Sequence, residues 1–98
     1  MLPKSTGRFA NTTKTHELSI PVRQEFKMAR LKINGRIKSG NAVWTLRDPN
    51  GKSVFTAESD KAELSLDSGD LNVIPGTWTL QVDVKNATLD FEIHWNTH

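Results

Sequence analysis

Residues 75–95 read PGTWTLQVDVKNATLDFEIHW, and the alternation within this stretch decides the fold. After Pro75-Gly76, a turn pair, Trp78, Leu80, Val82 and Val84 occupy every second position, with Thr77, Thr79, Gln81, Asp83 and Lys85 between them. Beyond Lys85-Asn86 the same period returns, as Leu89, Phe91, Ile93 and Trp95 alternate with Asp90, Glu92, His94 and Asn96. Successive side chains of a strand point to opposite faces, so each run has one apolar and one polar face. The pattern predicts two half-buried strands separated at Lys85-Asn86.

The tryptophans keep phase with the aliphatic residues. Trp78 lies with Leu80 and Val82, Trp95 with Ile93 and Phe91, and Trp44, further upstream, with Leu46. Burying one indole removes roughly 150–250 Å² from water, worth about 4–6 kcal/mol before entropy is counted. A small domain needs that contribution, so all three read as core. Trp78 and Trp95 stand near strand ends, where a ring at the rim is half exposed and can stack on a sugar. With Gln81, Asp83, Glu92 and His94 from the polar faces, they are the candidate binding residues.

The rest of the chain follows the same logic. Leu18, Ile20 and Val22 alternate with Glu17, Ser19 and Pro21, and Pro21, which cannot donate to a ladder, places this strand at an edge or ends it there. Phe26 and Met28 are out of phase with Leu31 and Ile33, which implies a bulge or bend near Met28-Ala29. Asn34-Gly35 suits a tight turn. Ala42, Trp44 and Leu46 form a strand that runs into Asp48-Pro49-Asn50-Gly51; no further acidic residue follows at calcium-loop spacing, so this segment reads as a hairpin turn. Strands follow at 53–56, around Ala62, Leu64 and Leu66, and at Leu71 and Val73, with Ser68-Gly69-Asp70 interrupting. Residues 1–14 are polar apart from Leu2 and Phe9 and read as a flexible leader or linker before a single domain at 15–98. The expected fold is all-β: an antiparallel sandwich, jelly-roll or Ig-like, of seven or eight short strands, with a small β-barrel as the alternative.

Composition narrows the function. The 98 residues include no cysteine, which excludes disulfides, thiolate catalysis and cysteine-ligated zinc. No apolar run approaches the roughly 18 residues that span a bilayer, so no membrane span is expected. Residues 1–49 carry ten Lys/Arg against three Asp/Glu and residues 50–98 carry three against eight, a balance of +7 and −5. A basic face for nucleic acid is one reading. Cross-strand pairing of the two halves in an antiparallel fold is the simpler one, and the basic residues lack interleaved aromatics for base stacking. No nucleic-acid partner is expected.

No nucleophile elbow, phosphate loop or zinc-binding H-E-x-x-H occurs, so no catalytic residue and no cofactor is assigned. His94, His98 and Asp90 invite a metal reading, but strand residues four apart are separated by about 13 Å, and no metal site is assigned. Carboxylates such as Asp83, Asp90 and Glu92 on outward faces read as solvated charges. Asn11-Thr12-Thr13 and Asn86-Ala87-Thr88 match the N-glycosylation triplet, which carries meaning only in a secreting eukaryote.

The DPNG turn at 48–51 and the later Pro-Gly-Thr-Trp-Thr-Leu-Gln-Val segment resemble the D-P-x-G turn and G-x-W-x-L-x-V strand of pre-peptidase C-terminal domains and proprotein-convertase P-domains. The likeness spans Ala42 to Trp95. It implies a non-catalytic module of an exported bacterial protein, binding a protein or polysaccharide at the cell surface, with residues 2–14 as a tether behind a removed export or lipoprotein leader. A cytoplasmic location stays open. The alternative is a structural or assembly subunit that uses an exposed edge strand such as Leu18–Val22, so the expected state is a monomer or a weak homodimer.

Overall fold

A computed structural model describes residues 4–60 and 63–97. Five antiparallel strands account for most of them: β1 (Lys4–Val22), β2 (Met28–Arg47), β3 (Ser53–Ser59), β4 (Glu63–Asn72) and β5 (Gly76–Thr97). The sheet order is β1-β5-β2-β3, and β4 pairs with the first half of β2. All pairings are antiparallel.

Three of the strands are too long for the molecule. A straight strand of 22 residues, the length of β5, would reach about 70 Å, yet the longest dimension of the protein is 40 Å. The strands therefore fold over, at a crease where β1, β5 and β2 each carry a left-handed residue: Asn11 (φ 44°), Asn86 (φ 50°) and Gly40 (φ 75°). The β1–β5 and β2–β5 registers shift at the same places, between Phe9 and Lys14 and between Ile37 and Asn41. Asparagine and glycine tolerate this backbone region best, so the crease falls where they stand.

Hydrogen bonds brace the crease from strand to strand. The Asn11 N–H donates to Thr88 Oγ1 at 2.8 Å, and the Asn86 N–H donates to Thr13 Oγ1 at 2.9 Å. Each Asn-x-Thr triplet thus binds the threonine of the other, which gives both a structural role. On the other side of β5, a Cβ on Gly40 would lie 2.2 Å from the Asn86 carbonyl oxygen, so only glycine fits there.

Folding over produces two layers. One holds 14–22 of β1, 76–84 of β5, 41–47 of β2 and β3; the other holds 4–9 of β1, 89–97 of β5, 29–37 of β2 and β4. Their inner faces meet in one core that includes Trp44, Leu46, Trp78, Leu80, Val82, Leu31, Ile33, Leu89, Phe91, Ile93 and Trp95. Trp44 meets Phe91 edge-on across it, with centroids 5.5 Å apart. The path ends at β1 and β3 with no closing pair among the described residues, so the fold is a sandwich rather than a barrel.

Several sequence expectations need correction. Among the described residues there are five strands, not seven or eight, because β2 and β5 each supply two alternating stretches without a break and β4 runs on through Ser68-Gly69-Asp70 rather than being interrupted there. Lys85-Asn86 is the bend of one strand, not a connection between two. Asn34-Gly35 is not a turn, since β2 runs straight through it; a Cβ at Gly35 would stand 2.0 Å from the Asp90 carbonyl oxygen, so glycine here permits close approach. The phase change after Phe26 comes from the turn before β2, where the Phe26 N–H donates to the Arg23 carbonyl at 3.2 Å. Residues 4–14 are not a free leader: they form the first part of β1, pair with β5, and bury Phe9, which stacks on Phe91 at 5.6 Å. Residues 1–3 of that leader and Ala62 lie outside the described residues. The edge expected for Leu18–Val22 is present: among the described residues β1 pairs on one side only, and it ends at Val22.

Candidate functional site

The six candidate binding residues separate into three places. Trp78 and Trp95 are only 1 % and 2 % exposed, so neither presents a half-exposed ring to a ligand. Trp44 is fully buried as well. The Trp78 indole N–H donates to the Ile74 carbonyl at 2.9 Å, whereas those of Trp44 and Trp95 find no acceptor among the described residues. The remaining four side chains stand on outer faces. Because β5 folds over, Gln81 and Asp83 look out from one layer, and Glu92 and His94 look out from the other.

On the first face a polar string crosses three strands. The Arg47 guanidinium donates to Gln81 Oε1, Gln81 Nε2 donates to Asp83 Oδ2 at 2.9 Å, and the Thr15 hydroxyl donates to the other Asp83 oxygen. The Thr15 and Gln81 hydrogen bonds hold the Asp83 carboxyl below its ordinary range, with Arg47 adding to the effect. Each of the four side chains on this string has at least one partner within it, which suits a solvated face whose side chains hold one another in place.

The second face is different. The antiparallel register sets Arg30 opposite Asn96, Lys32 opposite His94 and Asn34 opposite Glu92, a grid of three rows across β2 and β5. Paired Cβ atoms across a ladder lie about 5 Å apart, and three rows span about 13 Å along the strands. Arg30, Lys32, Asn34, His94 and Asn96 line a groove of about 380 Å³.

The charges around this groove are compensated. Arg30 Nε and Nη2 donate to the two Asp67 oxygens at 2.8 and 2.5 Å, a bidentate pair on neighbouring β4. The Arg30 hydrogen bonds, followed by that from the Gly69 N–H, hold Asp67 well below the usual carboxylate range, while Asp67 raises Arg30 further. His94 Nε2 contacts the Glu92 carboxylate. Lys32, Asn34 and Asn96 make no side-chain hydrogen bond or ion pair among the described residues. The groove thus offers one ammonium and two carboxamides with unused hydrogen-bonding capacity, between two side chains fixed by their partners.

Of the side chains at this groove, the sequence reading names His94, with Glu92 beside it, and does not name Arg30, Lys32, Asn34 or Asn96. The available signal was the polar phase of β2, opposite Leu31 and Ile33; what was lacking was the register that lays that phase beside His94.

The same pairing accounts for the charge asymmetry. Basic β1 and β2 lie against acidic β5 and β4, and Arg8 Nε reaches Asp90 Oδ1 at 2.6 Å. Interleaving of the two halves, rather than a separate basic face, is therefore the arrangement present. The DPNG segment is a turn: Asp48 Oδ1 accepts from the Asn50 and Lys52 N–H groups, both at 2.9 Å, and its carbonyl from Gly51 N–H, also at 2.9 Å. Among the described residues no cluster of three His, Asp or Glu is placed to hold a metal ion, and no helix is long and apolar enough to cross a membrane. His98, weighed above as a metal ligand, lies outside the described residues.

No protein-family model matches the chain, and no curated protein matches its sequence. Solved structures do match its fold. The chain is similar to the pre-peptidase C-terminal domain of a collagenase from Bacillus anthracis, with a TM-score of 0.64 at 14 % identity over 96 % of this chain and 88 % of that one. It is also similar to the CBM36-1 domain of a multidomain xylanase from the hindgut metagenome of Trinervitermes trinervoides, at TM-score 0.57, 13 % identity, and 92 % and 84 % coverage. TmCBM61, solved in complex with β-1,4-galactotriose, matches at TM-score 0.56 with 14 % identity over 95 % of this chain and 69 % of that one. The fold is that of small bacterial β-sandwich modules of this kind, as the DPNG and Trp-strand motifs implied.

Proposed function

We propose that the protein is a non-catalytic β-sandwich binding module that takes a neutral, hydroxyl-rich saccharide in the groove between β2 and β5, as an accessory part of an exported bacterial protein at the cell surface. The observation that carries this reading is the set of unused donors and acceptors on Lys32, Asn34 and Asn96, flanked by Arg30 and His94 whose positions are fixed by Asp67 and Glu92. Carboxamides both donate and accept, as sugar hydroxyls do, so they match vicinal hydroxyls without requiring a charge on the ligand. The Asp67 and Glu92 carboxylates in contact with Arg30 and His94 argue against a polyanion, which would find only Lys32 in the groove without a carboxylate against it. Support from the fold is that modules of xylanase and galactotriose-binding proteins share it.

The reading also says what the ligand lacks. With all three indoles buried, specificity rests on hydrogen bonds rather than on stacking. Calorimetric titration against a panel of neutral and acidic polysaccharides tests this. A neutral glycan is expected to bind, Asn34→Ala and Asn96→Ala each to weaken it at least tenfold, and Gln81→Ala on the opposite face to leave it unchanged. Absence of binding across the panel, or binding restricted to acidic glycans, would overturn the proposal.

A further inference from the structure

Independently of the groove, β1 is a sheet edge 19 residues long that, among the described residues, has a partner on one side only. Such an edge exposes a row of unpaired N–H and C=O groups and is a template for another strand. The seam behind it is also incompletely filled. Leu18 and Ile20 point inward yet are only partly buried, and a cleft of about 240 Å³ opens between the two halves of β1, bordered by Gly7, Phe9, His16, Leu18 and Phe91. Backbone valence and unfilled apolar space coincide along one edge.

The fold-over makes this edge complementary to itself. Residues before the crease run toward it in one layer, and residues after it run away in the other. A two-fold axis lying between the layers, parallel to the strands, therefore sets the first half of β1 in one copy antiparallel to the second half in the other, in both layers at once. The side-chain phases agree as well: inward residues are odd-numbered before the crease (Gly7, Phe9) and even-numbered after it (His16, Leu18, Ile20), so inward meets inward in any register that sets Arg8 opposite an odd-numbered residue. Among these registers, one sets Arg8 opposite Glu17, twice by symmetry. Arg8, 79 % exposed, holds Asp90 through Nε, which leaves its two Nη groups to meet the exposed Glu17 of a second copy. The same register lays Leu18 of one copy over Gly7 of the other, against the cleft beside Phe91, and pairs Thr6 with Ser19.

We propose that two copies of this chain associate through β1 in this register, forming a continuous two-layer sandwich across the two-fold axis. The chain's lack of cysteine gives a direct test. Within one molecule Thr6 and Ser19 stand on opposite outer faces, so a Thr6→Cys, Ser19→Cys double variant cannot close on itself; across the interface they are opposed. Sedimentation equilibrium at high micromolar concentration is expected to give twice the monomer mass. Mild oxidation of the double variant should yield a covalent dimer, Glu17→Arg should return the protein to monomer, and adding Arg8→Glu to it should restore the dimer. A wild type that stays monomeric, or one that dimerises while the double variant fails to cross-link, overturns the proposal.

Discussion

Trp78 and Trp95 belong to one strand, seventeen residues apart, yet their ring centroids are 6.1 Å from each other. A straight strand would separate them by about 56 Å. The contact exists because β5 turns over at Asn86 and lays its second half against its first, so the two indoles that look like separate rim residues in sequence form one buried pair. Trp78→Ala and Trp95→Ala are each expected to cost about 3–5 kcal/mol of stability. Because the rings touch, the double variant should lose less than the sum, and urea unfolding of the three variants measures that coupling.

The crease is the second place where stability concentrates. Gly40→Ala puts a Cβ into a left-handed backbone and 2.2 Å from the Asn86 carbonyl oxygen, and more than about 2 kcal/mol should be lost. Thr13→Val removes two strand-to-strand bonds and Thr88→Val one, at about 0.5–1.5 kcal/mol for each bond. Hydrogen exchange should show the effect locally, with the Asn86 amide accelerated in the first variant and the Asn11 amide in the second.

These two sets of residues mark what was legible in the sequence. The apolar phase of 78–84 and 89–95 was readable because alternation depends only on neighbours along the chain, and it put the tryptophans correctly with Leu80, Val82 and Ile93. The meaning of Lys85-Asn86 was not, since an asparagine at positive φ serves equally in a turn that ends a strand and in a bend that continues it. Read as breaks, Lys85-Asn86, the segment around Gly40 and that around Gly69 split β5, β2 and β4 in two and raised the strand number, and the candidates Gln81 and Asp83 stand on the opposite outer face from Glu92 and His94 because β5 folds over. Residues 4–14 were misread for a different reason. Their one inward hydrophobe is Phe9, and the apolar cover over Gly7 comes from Phe91 on the neighbouring strand, a contribution that no local pattern contains.

Acid should destabilise the protein through its paired carboxylates. Asp67 and Asp83 are held below their ordinary value of 3.8 in the folded state, whereas in the unfolded chain they take up protons near that value. As pH falls through about 4 the unfolded state binds more protons, so the stability that these groups contribute above that pH is progressively lost until the folded carboxyls protonate as well. Asp67→Asn is expected to be less stable than wild type at neutral pH and to show a flatter decline below about pH 4. Denaturant midpoints measured across that range check the sign; equal slopes for the two proteins would mean that the Arg30–Asp67 pair has no linkage to folding.

Gly35 offers a test of the β2–β5 register that organises the groove. Gly35→Ala would force its Cβ against the Asp90 carbonyl at 2.0 Å, so β2 and β5 must separate. The expected outcome is a loss of more than about 2 kcal/mol together with weakened glycan affinity, since Asn34 and Glu92 share the adjoining row. A fully stable Gly35→Ala protein would contradict the register.

The central claim is that the β2–β5 face is the binding surface, and amide chemical-shift mapping during titration with the neutral glycan of highest affinity tests it most directly. The account predicts shifts clustered at Arg30, Lys32, Asn34, His94 and Asn96, including the Asn34 and Asn96 carboxamides, with the three indole N–H signals unmoved. Shifts centred instead on Thr15, Arg47, Gln81 and Asp83, or on the indoles, would contradict it.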